Sequence, residues 1–136
     1  MAPVLEIDDL STHIQLSRSV VQAVGNIQLR IEPGETLGLV GESGCGKSMT
    51  GLSIMGLLPP GGKIVGGSIK LAGRELVGLP KEEIRKIRGN EVAMIFQDPL
   101  TSLDPTKTIG YQVAEPVRLH RGVTREIGRA SCRERV

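Results

Sequence analysis

Gly41-Glu42-Ser43-Gly44-Cys45-Gly46-Lys47-Ser48 decides how this chain is read, because it meets G-x-x-x-x-G-K-[ST] at every fixed position. With this composition the four fixed positions would match by chance in roughly one such chain in a hundred. The flanks agree with a phosphate-binding loop. Before it, Thr36-Leu37-Gly38-Leu39-Val40 is a short apolar run suited to a buried parallel strand. After it, Lys47 to Leu58 is rich in Met, Leu and Ser, has no proline, and reads as a helix. Glycine opens backbone regions closed to other residues, so successive N–H groups can turn inward around phosphate oxygens at the positive end of that helix. In such a loop Lys47 reaches the β- and γ-phosphates, and the Ser48 hydroxyl sits on Mg²⁺. The alternative is a glycine-rich turn with no ligand.

With 136 residues, the chain is one domain or part of a larger one. Apolar residues make up 39%, but the aromatic ones are only Phe96 and Tyr111, so the core is expected to rest on Val, Ile, Leu and Met. Four Arg and two Glu of the 17 basic and 15 acidic residues lie between Arg125 and Val136, leaving 13 of each sign in the body. No basic stripe interleaved with aromatics remains, which disfavours nucleic acid as a partner. The acidic start Met-Ala-Pro-Val-Leu-Glu-Ile-Asp-Asp lacks the order of a secretion signal, and no apolar run approaches the roughly 18 residues of a membrane span. The expectation is a cytosolic protein. Cys45 and Cys132 have neither metal-ligand nor C-x-x-C spacing, and a disulfide is not expected there.

Along the chain, Val4 to Leu10 alternates as a half-exposed strand, and Val20 to Ile31 reads as one or two more. Glu32-Pro33-Gly34-Glu35 is a turn. These elements are expected as antiparallel cover over the strand that feeds the glycine loop. Pro59-Pro60-Gly61-Gly62, then Ile64 to Leu71 and Ala72-Gly73-Arg74, make a second hairpin region. Leu79 to Gly89 is a short helix, with Pro80 in its first turn, carboxylates early, basic residues late and Gly89 closing it. Val92-Ala93-Met94-Ile95-Phe96 reads as a second apolar strand, ending in Gln97-Asp98-Pro99. Two readings stand at its end. Asp98 could be the Mg²⁺-binding acid that often closes such a strand. Alternatively, the Gln97 amide could contact Mg²⁺ and the attacking water while the loop after it moves.

Met94 to Pro105 follows the glycine loop by about 50 residues and resembles the Q-loop of ATP-binding subunits of ABC transporters, in the oligopeptide, dipeptide and nickel importer branch. Gly34 to Gly44 is similar to the same branch. The resemblance runs from about Leu5 to about Thr124 and implies a phosphate-loop α/β fold of ABC ATPase type, incomplete, with antiparallel cover over a parallel core sheet. It implies ATP and Mg²⁺ held by Gly41 to Ser48, Mg²⁺ contacts from Ser48 and Gln97, and a helical subdomain beginning at Gly110 to Arg121. At the end of the first strand, where the family stacks adenine on an aromatic ring, it places Ile14, beside His13.

Implied partners are transmembrane permease subunits, a second ATP-binding subunit and, indirectly, an extracytoplasmic solute-binding protein, at the cytoplasmic face of the membrane. The signature motif, the Walker B aspartate with its catalytic glutamate, the D-loop and the switch histidine have no counterpart here, so no catalytic residue is assigned. Binding without useful hydrolysis is the expectation for this chain by itself, together with marginal folding. Residues 1–124 are read as the N-terminal part of the nucleotide-binding domain. Residues 125–136 depart from the family and read as a truncated or foreign end. A soluble ABC-type ATPase outside transport, or a fragment without function, are the rival readings.

Overall fold

The structure is a computed structural model that describes residues 2–124; the expectation for 125–136 lies outside them. Two compact units divide the chain, one running to Ile84 and one from Arg85. In the first unit, β1 (Leu5–Gln15), β2 (Val20–Ile31), β3 (Gly62–Leu71) and β4 (Arg74–Glu75) form a four-stranded sheet in the order β2-β1-β3-β4. Every pairing is antiparallel. Helix α1 (Lys47–Met55) follows the glycine loop.

β1 is longer than its sequence suggests because its alternation is broken. Asp9 takes a positive φ of 47° and adds one residue between Ile7 and Leu10, so both reach the core face. Opposite this bulge, Gly67 has φ 88°, and a Cβ there would lie 2.5 Å from the Asp9 carbonyl. Beyond it β1 alternates again, so Leu10, Thr12 and Ile14 share the inner face. Leu10 and Thr12 are fully buried, joining Ile7, Val24, Met55, Ile69, Leu71 and Leu76 inside. That core is aliphatic plus methionine, as the composition requires.

α1 ends earlier than Leu58. Gly56 enters the left-handed region at φ 63°, and the Leu57 N–H returns to the Leu52 carbonyl at 2.9 Å. Helix α2 (Lys81–Ile87) lies across the division between the units, with the Pro80 carbonyl accepting from Glu83 and Ile84 and Gly89 following at φ 75°. Helix α3 (Ile109–Arg121), in the second unit, starts at Thr108, whose hydroxyl accepts from the Tyr111 N–H, and stops at Gly122.

The α/β class and the antiparallel cover agree with the sequence, and within their own units the 36–40 and 92–96 runs are not assigned as strands. Thr36 to Val40 has no ladder partner, and the Val92 to Phe96 run has a single bridge, from Val92 to Arg88. Val40 is 93% and Ile95 98% exposed. A parallel strand needs a paired neighbour and covered faces, so an apolar run alone does not make one. No helix among the described residues is long and apolar enough to cross a membrane.

Candidate functional site

The loop from Gly41 to Gly46 turns on two glycines. Gly44 and Gly46 have φ of 84° and 97°, and between them the Cys45 N–H bonds the Glu42 carbonyl at 3.3 Å. Positive φ explains why glycine stands at both positions. Gly46 also has a packing reason. A Cβ there would come within 2.6 Å of the Ala23 carbonyl on β2, so the loop ends pressed against the sheet. Gly46 then acts as N-cap of α1, and its carbonyl accepts both the Thr50 N–H at 2.8 Å and the Thr50 hydroxyl at 2.9 Å.

Lys47 folds back over this loop. Its ammonium donates to the Gly41 carbonyl at 2.5 Å and the Glu42 carbonyl at 2.7 Å, and lies 3.3 Å from the Cys45 sulfur. The cation therefore lies against the backbone of the loop. That hydrogen bond from Lys47 is the main reason the Cys45 thiol titrates below its ordinary range. Glu42, Ser43 and Ser48 are exposed, the last in the first turn of α1. A helix N-terminus, an ammonium beside it and an exposed hydroxyl suit a polyphosphate with its divalent cation.

Ile14 sits near the end of β1, half-buried, on the face that α1 covers, and pairs with Val21 of β2. Val21 is two residues from Ala23, whose carbonyl lies beneath Gly46. His13 points to the opposite face, between Gln22 and Lys63. It does not share the loop's side of the sheet.

Gln97 belongs to the second unit, where it is exposed and outside any strand. The neighbouring acid is committed elsewhere. One oxygen of the Asp98 carboxylate accepts the Leu100 N–H at 2.9 Å and the other the Thr101 hydroxyl at 3.0 Å, while its carbonyl accepts from Ser102 at 2.6 Å. Asp98 thus nucleates its own turn. Further on, Gln112 clamps the same segment through the Asp104 N–H at 2.7 Å and the carbonyls of Asp104 and Lys107 at 2.8 and 3.0 Å. A feature the sequence did not suggest is the buried hydroxyl pair of Thr12 and Ser53, 2.9 Å apart. Threonine and serine among apolar neighbours were the available signal.

Loop, helix and covering sheet together define a nucleotide-binding unit of phosphate-loop type. A family model described as ABC transporter matches residues 24–134, and the chain belongs to that family. It is 50% identical over 122 residues to the probable peptide ABC transporter ATP-binding protein y4tR of Sinorhizobium fredii, covering 89% of this chain and 36% of that protein. It is 46% identical over 130 residues to the oligopeptide transport ATP-binding protein AppD of Bacillus subtilis, covering 95% and 40%. The dipeptide transport ATP-binding protein DppD of Lactococcus lactis subsp. cremoris is 48% identical over 117 residues, covering 86% and 34%. The chain thus spans no more than 40% of the length of these relatives. Among solved structures, it superimposes with a TM-score of 0.79 at 25% identity on the dimeric bacterial ABC transporter cassette MJ0796, covering 93% of this chain and 53% of that one.

Proposed function

We propose that this chain is the phosphate-loop portion of an ATP-binding subunit that energises import of dipeptides or oligopeptides, working with permease subunits and a second ATP-binding subunit at the cytoplasmic face of a membrane. The observation that carries the reading is the Lys47 ammonium, held by the Gly41 and Glu42 carbonyls of a loop with two positive-φ glycines. The solute class rests on the peptide, oligopeptide and dipeptide transport names of its relatives. A paired arrangement is supported by the dimeric cassette that it superimposes on.

In this reading the N–H groups between Gly41 and Ser48 bind the phosphate chain, and Lys47 swings from the loop carbonyls to the β- and γ-phosphates. Ser48 supplies a hydroxyl to Mg²⁺, with Gln97 as the second protein contact. Mg²⁺ bound with the nucleotide neutralises phosphate charge. Ile14 and Val21 offer the adenine an aliphatic surface in place of a stacking ring. No residue in this set is a general base, so the role proposed for the chain itself is binding, and hydrolysis belongs to the assembled pump.

Calorimetric titration with Mg·ATP tests this. The wild-type chain is expected to bind, and Lys47→Ala to weaken binding at least about tenfold, the scale of a lost charge-assisted contact. No heat from the wild-type chain, or equal affinity in the variant, refutes the site. Uptake of a labelled dipeptide by cells whose transporter carries Lys47→Ala tests the transport role, and undiminished uptake refutes it.

A further inference from the structure

We infer that Thr12 is a positioning residue for nucleotide binding: through Ser53 its hydroxyl fixes α1 against β1, and so sets the span between the phosphate loop and the aliphatic shelf at Ile14. This rests on the nucleotide-binding reading above. Thr12 is fully buried and Ser53 is 3% exposed. Two hydroxyls in such a place are costly unless they bond, and here they lie 2.9 Å apart. The direction follows from the protons. Ser53 gives its single hydroxyl proton to the Met49 carbonyl at 2.7 Å, so Thr12 must be the donor to Ser53.

The result is a continuous chain from β1, through Ser53, to the carbonyl of the residue that follows Lys47 and Ser48. The buried residues of α1 are Thr50, Ser53 and Met55, and Thr50 turns inward to the Gly46 carbonyl. Apolar contact is non-directional and tolerates sliding, whereas a hydrogen bond weakens steeply once misaligned. The pair therefore holds both the rotation and the axial position of α1. Ile14, two residues beyond Thr12 on the same face, is carried on the same strand. A ligand that spans loop and shelf needs that distance held. A ligand that occupies the loop alone does not.

The test compares Mg·ATP with Mg·tripolyphosphate, which has no base, by calorimetry on the full chain. In the double variant Thr12→Val/Ser53→Ala both partners are replaced by apolar groups, so its urea midpoint should stay close to wild type. Its affinity ratio of ATP over tripolyphosphate is expected to fall about three- to tenfold, the scale of one neutral hydrogen bond. Thr12→Ser should keep the wild-type ratio even though the lost methyl lowers its stability. An unchanged ratio in the double variant, or the same fall in Thr12→Ser, overturns the inference and leaves the nucleotide reading standing. A wild-type chain that binds neither ligand overturns both.

Discussion

Comparing alanine at Gly44 and Gly46 separates backbone strain from close packing within one loop. Both glycines have positive φ, 84° and 97°, so alanine at either carries the cost of the left-handed region, about 1–2 kcal/mol. At Gly44 nothing lies within 4 Å of the added carbon, and strain is the whole effect. At Gly46 the added carbon meets the Ala23 carbonyl at 2.6 Å, with Val24 behind it at 3.8 Å. The obstacle is the backbone of β2 and not the far end of a flexible side chain, so strand or loop has to shift. Overpacking of this kind adds about 1–3 kcal/mol. Gly44→Ala should therefore cost about 1–2 kcal/mol and Gly46→Ala about 2–5 kcal/mol. With a urea slope near 2 kcal/mol/M, the two midpoints should differ by about 0.5–1.5 M. Urea titration of both variants by far-ultraviolet circular dichroism reads that difference. Equal midpoints, or Gly44→Ala as the worse variant, would refute the claim that the loop ends pressed against β2.

Three further outcomes follow from the same geometry. Ile14→Tyr should raise Mg·ATP affinity by about 1–3 kcal/mol, the value of stacking one base on a ring, and leave tripolyphosphate affinity alone; a calorimetric gain shared by both ligands would argue against a base shelf there. Because Lys47 holds the Cys45 thiol low, the thiolate persists to lower pH than in free cysteine. The maleimide rate profile should shift down accordingly, return upward in Lys47→Ala, and be slowed by Mg·ATP, and equal rates with and without nucleotide would discount the thiol as a site reporter.

Glu75 accepts from the Ser68 hydroxyl and from the N–H groups of Ile69 and Val77, both at 3.0 Å. Burial pulls its carboxyl upward, but these bonds outweigh it and leave the folded value lowered. The resulting stability is present above the ordinary value of 4.5 and is lost as pH falls through the lower folded value. Glu75→Gln should cost about 1–3 kcal/mol at neutral pH, with the gap to wild type closing in acid; a gap independent of pH would contradict the assignment.

Much of the fold could be read locally. Gly89 follows α2, and the Pro80 turn opens it where proline and charge order place it, whereas Gly56 ends α1 short of Leu58. The β-strands were harder. β1 continues past Leu10 to Gln15 because a bulge at Asp9 restores the inner face after Asp8-Asp9 breaks the alternation. No pattern of apolar residues announces a bulge, since its partner, Gly67, is 58 residues away in the chain. The apolar runs at 36–40 and 92–96 show the converse. Their composition suits a buried parallel strand, but composition cannot supply the neighbours that pairing needs.

By itself the sequence determined the phosphate loop, since its chemistry lies in eight consecutive residues whose glycines, lysine and serine act through bonds no more than six residues long. Tertiary structure alone decided which face Ile14 presents and that Thr12 meets Ser53 across 41 residues. The division has a physical cause. Backbone preference and short-range hydrogen bonds are carried by the residues themselves, whereas a strand's inner face and a buried hydroxyl's partner exist only once distant segments have packed.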